Sequence, residues 1–281
     1  MLSPQPVTMR KKIATFLLIS WVWSLFGIPS LQAKDETPPP EPDLSLSPQD
    51  TEFGERSDKA EKFTFKELPR DLGGSMKASF WGWGGLAFGL GAGLSGGLVP
   101  LDDNIQNSFE TNAIFGETAN DVMGWVISPY SIGGASILTW IVGHGTHHPK
   151  VALTGRALTE ALFLSLGIDA VAKLSFNRRG PDNGRFSFPS AHSTAAFTAA
   201  GVLTSFYGWK AGVPSYVVAS LISVSRVDGD QHWVSDVVMG AVLGSVIGWG
   251  TAQFHKKQHP NFFLSPQVSS SHASLGFTYI Y

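Results

Sequence analysis

Six apolar stretches, at about residues 80–100, 122–143, 151–172, 193–209, 211–224 and 233–254, constrain this chain more than any other feature. Each is long enough for a helix of several turns. Several are apolar on nearly every face, so they have no polar side to turn toward water. Such stretches fold as membrane spans or as the centre of a dense bundle. Charged residues make up only 15% of the chain, against roughly 25% in ordinary soluble domains. The expected fold is therefore all-α: a bundle of about six helices, largely apolar, embedded in or associated with a membrane. In the first stretch Gly85, Gly89, Gly91 and Gly93 are spaced to let helices approach closely.

The flanks read differently. Arg10, Lys11 and Lys12 precede an apolar run from Ile13 to Ile28, which Pro29 ends; Ala33 offers a cleavage site. Residues 1–33 are thus expected to be a signal peptide. Residues 34–66 are rich in Pro, Asp, Glu and Ser, with Pro38, Pro39 and Pro40 in a row, and read as a solvated linker. The helical core is expected over 67–257 and a tail over 258–281. In that tail Leu275, Phe277, Tyr279 and Tyr281 alternate with small or polar residues, which predicts a strand and a short hairpin. One strand of this kind does not make an outer-membrane barrel, which needs at least eight.

The totals exclude several functions. The 281 residues carry a net charge of −2, which argues against a nucleic-acid binder. The chain has no cysteine, and so no disulfide, no thiolate nucleophile and no cysteine-ligated metal.

Three blocks carry chemistry. The first, Lys173-Leu174-Ser175-Phe176-Asn177-Arg178-Arg179-Gly180-Pro181, puts three cations at the end of an apolar helix. They suit a phosphate dianion or a membrane-edge charge cluster. The second, Phe188-Pro189-Ser190-Ala191-His192-Ser193, opens a helix. Ser190 suits its N-cap, and the backbone N–H groups behind it suit an anion. His192 lies in the first turn, where a proton donor to a leaving oxygen belongs. The third runs from Ser225-Arg226 to His232 and Asp236. On a helix, His232 and Asp236 share a face, so the carboxylate can fix the imidazole tautomer and leave the other nitrogen basic. Arg226 offers a planar fork for phosphate oxygens.

Together these blocks resemble the three-part signature of the type 2 phosphatidic acid phosphatase and vanadium haloperoxidase superfamily: K-x6-R-P, P-S-G-H and S-R-x5-H-x3-D. The third part matches fully, Ala191 stands for Gly in the second, and Gly180 stands where the first has arginine. The resemblance implies a phosphohydrolase in which His232 attacks phosphorus, Asp236 orients it and His192 protonates the leaving group. Lys173, Ser190, Ala191 and Arg226 then bind phosphate oxygens. Arg179 is expected to replace the missing arginine, with Arg178 mattering less. No metal and no cofactor are implied.

A lipid phosphate or diphosphate is the expected substrate, and a membrane the expected partner. A non-catalytic phosphate or lipid binder, suggested by Gly180, and a vanadate-dependent haloperoxidase are the alternatives. The expected location is the inner membrane with an outward, periplasmic site; a soluble periplasmic bundle is the alternative. One conflict follows: an export signal and then six crossings would put the loop from Lys173 to His192 on the inner side.

Overall fold

The computed structural model describes residues 67–258 and the backbone of two strands beyond them. The expected signal peptide and linker lie outside the described residues. The helices among these residues are α1 (Leu68–Phe80), α2 (Trp83–Leu98), α3 (Asp102–Thr111), α4 (Glu117–Val126), α5 (Pro129–Gly145), α6 (Pro149–Phe176), α7 (Ala191–Tyr207), α8 (Trp209–Asp228) and α9 (Val234–Gln258). Strands β1 (Phe262–Val268) and β2 (Ala273–Tyr279) pair antiparallel, with Phe262 opposite Tyr279 and Val268 opposite Ala273.

The six expected stretches correspond to α2 and α5–α9, so the all-α bundle is observed. Three shorter helices were not expected: α1, which falls in the stretch given to the start of the core, and the pair α3–α4. The helix α1 is amphipathic in an unusual sense, because its buried residues, Asp71, Ser75 and Ser79, are polar. Asp71 meets a polar patch on the bundle. Arg156 of α6 donates to Asp71 Oδ2 at 2.6 Å and to Glu160 Oε1 at 3.0 Å, and His255 Nε2 of α9 lies 2.7 Å from Glu160 Oε2. Every one of these four residues is buried, so the network satisfies groups that would otherwise be costly to desolvate.

Four stretches are long and apolar enough to cross a membrane: Trp83–Thr111, Glu117–Gly145, Pro149–Phe176 and Val234–Gln258. Their outer faces carry exposed Leu86, Leu90 and Leu94 on α2, Ile137, Leu138 and Ile141 on α5, and Phe163, Val171 and Leu174 on α6. Each such side chain would cost roughly 1.5–3 kcal/mol if left in water, so this surface belongs in hydrocarbon. Exposed Trp125 and Tyr130 at one end and Trp209 at the other suit the two interfaces of a bilayer.

The interior, by contrast, is small and partly polar. Ala157, Leu158, Ala161, Val202, Leu243, Ile247 and Ala252 form the main cluster. Thr198 Oγ1 donates to Ser165 Oγ across the α6–α7 contact at 2.9 Å, and Ser223 Oγ to Ser193 Oγ across α7–α8 at 2.7 Å. Small residues let backbones approach, and short hydroxyl bonds add to the dispersion between them.

Helices α7 and α9 approach closely, and three glycines at four-residue spacing allow it. A Cβ on Gly240 would sit 2.7 Å from Ser190 O, on Gly244 2.3 Å from Thr194 O, and on Gly248 2.3 Å from Thr198 O. The glycines expected to do this in α2 do so only in part: Gly91 faces Val242, whereas Gly89 and Gly93 face open space.

Gly244→Ala is therefore expected to lower thermal stability in detergent, by about 1–3 kcal/mol or more as in other overpacked cores. Gly93→Ala is expected to hold or raise stability, by up to about 1 kcal/mol from helix propensity. Thermal unfolding followed by circular dichroism separates the two.

Candidate functional site

All three blocks meet at one end of the bundle. Lys173 ends α6, His192 begins α7, Arg226 ends α8 and Asp236 begins α9, and the short helices α3 and α4 lie over this end. The meeting follows from the α7–α9 seam, which brings the two helix starts together: Ser190 N donates to Asp236 O at 3.1 Å.

His232 lies in the bend before α9, not on the helix, so the expected shared helical face is not formed, and His232 and Asp236 do not touch directly. Their Nδ1 and Oδ2 atoms are 3.8 Å apart. Ser187 stands between them, with its Oγ 3.2 Å from His232 Nδ1 and 2.5 Å from Asp236 Oδ2. The hydroxyl donates to the carboxylate, so it accepts from the imidazole. That assigns the proton of a neutral His232 to Nδ1 and leaves Nε2, which has no hydrogen-bond partner among the described residues, as the basic nitrogen.

Asp236 is fully buried and saturated with donors. It also accepts from Trp233 N at 3.1 Å and from Arg178 Nη1 at 2.6 Å. Arg178 Nη2 reaches Asp102 Oδ2 at 2.6 Å, and Asp102 in turn accepts from Ser235 N at 3.0 Å and Ser235 Oγ at 2.6 Å. Arg178 therefore binds the start of α9 to the start of α3. Arg179 is placed otherwise. Its carbonyl accepts from Trp233 Nε1 at 2.8 Å, while its side chain is exposed. The alternation of an extended strand explains the difference, since successive side chains point to opposite faces. Position 180 returns to the inner face, where a Cβ would meet Asp182 Oδ1 at 2.9 Å and Ser187 Oγ at 3.1 Å.

Lys173 is half-buried beneath the same loop. Its Nζ donates to Phe186 O at 2.8 Å and to Pro189 O, and lies 3.8 Å from Asp169 Oδ2. Phe186 has φ +66°, a conformation that costs a bulky residue of the order of 1–3 kcal/mol. The lysine bond helps hold that strained turn.

Ser190 occupies the N-cap position of α7, but its side chain makes no capping bond. This differs from the expected cap. The Oγ is buried and lacks any hydrogen-bond partner among the described residues. Such an orphan is rare, and it suits a group that completes its bonding only when an anion is bound.

His192 Nε2 donates to Gly124 O of α4 at 3.1 Å. Burial pushes its pKa from 6.5 down to about 4, and the nearby charge of Arg226, then those of His232 and Lys173, push the same way against the Gly124 carbonyl. Arg226 is buried and clamped: it donates to Gln231 Oε1 at 2.7 Å, to Ser225 Oγ at 3.0 Å and to Asn120 O. Gly124 allows this, because a Cβ there would lie 2.1 Å from Arg226 Nη1.

Ser187, Asp102 and the α4 residues Asn120 and Gly124 were not legible as site residues. Each reaches the site through tertiary packing, and none stands at a spacing that marks it.

The lipid A 4′-phosphatase of Helicobacter pylori is 36% identical over 115 residues, 38% of this chain and 56% of the relative. The lipid A 1-phosphatase of Porphyromonas gingivalis is 36% identical over 97 residues, 32% of this chain and 22% of the relative. The chain therefore spans about half the length of the first and about a fifth of the second. Among solved structures, the first transmembrane PAP2 type phosphatidylglycerolphosphate phosphatase from Bacillus subtilis is 20% identical, with a TM-score of 0.46 over 61% of this chain and 94% of that one. The model of the PAP2 superfamily matches residues 131–260, a stretch that holds all three blocks. Over that stretch the chain is similar to the PAP2 superfamily.

Proposed function

We propose that the protein is a phosphohydrolase of a lipid phosphate or diphosphate, acting through a phosphohistidine on His232. The observation that carries this reading is the basic nitrogen of His232, held with its proton side tied through Ser187 to Asp236, beside the uncommitted hydroxyl of Ser190. The relatives named lipid A phosphatases support a lipid substrate.

In this reading Nε2 of His232 attacks phosphorus in line, and the bond to the leaving oxygen breaks. Lys173, Arg226, Ser190 Oγ and the Ala191 N–H bind the equatorial oxygens. His192 gives the leaving oxygen its proton. Water then cleaves the phosphohistidine, with His192 taking back a proton. Positive charge from lysine and arginine stabilises a transition state of this kind without a metal. Arg178 is a positioning residue, because it acts on Asp236.

The end of the bundle that holds the site is acidic. Asp102, Asp103, Glu110, Glu117 and Asp121 lie on α3 and α4, which have no Lys or Arg. The opposite end carries Arg70, Lys150, Lys210, Lys256 and Lys257. Lys173, Arg178, Arg179, Arg185 and Arg226 stand at the site end as well, so the count of Lys and Arg favours neither side, and the outward site is read from the acidic α3–α4 segment, which is free of Lys and Arg.

Three outcomes test the reading. His232→Ala abolishes phosphate release from every substrate. His192→Ala spares activated aryl phosphates in part, because they need little protonation. Rapid quenching traps acid-labile phosphate on the peptide containing His232; label on Ser190 or His192 instead would overturn the roles.

The pH profile follows from His192. With its pKa at about 4, it is neutral in the free enzyme at pH 7, so the donated proton arrives on the substrate monoanion. The second pKa of a phosphomonoester is about 6. Consequently kcat/KM falls as pH rises above about 6; a fall that begins a unit or more higher would show that His192 keeps its proton in the free enzyme.

The chain has no native cysteine, so single cysteines report the side cleanly. An impermeant maleimide is expected to label Glu117→Cys in intact spheroplasts and Lys257→Cys only after permeabilisation. The reverse pattern would place the site inside.

A further inference from the structure

The loop between α6 and α7 folds into a ribbon in which Arg179 and Arg185 form an antiparallel bridge. Residues opposed in this way have side chains on one face, with Cβ atoms roughly 4.5–5.5 Å apart, and like charges directly opposite are destabilising. Both arginines are exposed.

Nothing nearby neutralises them. Neither guanidinium has a hydrogen bond or ion pair with a described residue. The one acid of the loop, Asp182, accepts from Gly184 N at 2.8 Å instead. Of the neighbouring acids, Asp102 and Asp236 are engaged by Arg178, and Asp230 accepts from Gln106.

The pair stands close to the reacting centre. The Trp233 side chain, adjacent in sequence to His232, holds the Arg179 carbonyl. Arg185 is two residues from Ser187, which touches His232, so at most roughly 7 Å of chain separates Arg185 from Ser187. The inner face of the ribbon, with Arg178 and Ser187, serves Asp236; the outer face presents two unneutralised forks at the rim. Two such forks match the oxygens of one phosphate.

We propose that Arg179 and Arg185 form a second phosphate subsite, which holds the phosphate of the substrate headgroup that is not being transferred. This rests on the phosphohydrolase reading above and narrows its substrate class to headgroups with two phosphates. The second phosphate is either the inner one of a diphosphate or a separate monoester on the same headgroup.

The test compares wild type with Arg185→Gln and with Arg179→Gln/Arg185→Gln in neutral detergent micelles. Two substrate pairs are used: farnesyl diphosphate against farnesyl phosphate, and a bisphosphorylated against a monophosphorylated diglucosamine lipid. The variants are expected to lose at least tenfold more kcat/KM on the two-phosphate member of one pair, and that pair identifies the source. Equal losses within both pairs would overturn the proposal. So would a loss seen only when phosphatidylglycerol is added, since the arginines would then read the membrane surface. Binding of an alkyl methylenebisphosphonate, which needs no turnover, is also expected to weaken at least tenfold more than that of the alkyl monophosphonate. If wild type releases no phosphate from any substrate, the phosphohydrolase reading fails, and the binding comparison still decides the subsite.

Discussion

The contact between α7 and α9 is the constraint on which the rest of the structure depends. Three missing side chains, at Gly240, Gly244 and Gly248, let the α9 backbone lie against that of α7. Without a hydrophobic force to drive helices together in hydrocarbon, such close packing is a main source of cohesion. It also sets a register. With the seam in place, the first turns of both helices lie side by side, and a residue in each becomes part of one polar pocket. His192 and Asp236 occupy those turns, and the Ser190 N–H reaches the Asp236 carbonyl across the gap.

Around that pocket the charges are only partly balanced. Asp236 and Asp102 share Arg178, and Asp169 lies near Lys173. Arg226 is hydrogen-bonded to neutral acceptors alone, two side-chain oxygens and a carbonyl, and the acid that acts on its charge, Asp121, is exposed. In surroundings of low dielectric, such a cation exerts a strong field over the few ångströms that a phosphate would occupy. The same field adds to burial, the larger cause, in holding the His192 pKa down, and a bound anion offsets it.

Much of this was legible in the sequence, for physical reasons. The six long helices announce themselves because they are apolar all round, and the motif order places Lys173, His192, Arg226, His232 and Asp236 at consecutive helix ends. What was not legible depends on tertiary contact. The glycine seam lies in α9, although α2 has more glycines, because the packing partner decides which glycines matter. The positions of Arg178 and Arg179 follow from the direction of a loop backbone with positive φ at Asn177, Asn183 and Phe186, which no periodicity encodes. Ser187 sits in a stretch of aromatic and small residues and carries no spacing signal. The Ser190 hydroxyl was expected to cap its helix, and its isolation becomes visible only when the surrounding donors and acceptors are placed.

Gly180 has a consequence for the history open to this chain. Its inward direction is already occupied by the Asp182 carboxylate, the Ser187 hydroxyl and the Gln231 carbonyl. A Cβ there would meet Asp182 Oδ1, the end of an exposed side chain, at 2.9 Å and Ser187 Oγ at 3.1 Å, so an arginine would enter only with a shift of the serine that links His232 to Asp236. Regaining the family's cation at this position is thus coupled to the geometry of the nucleophile.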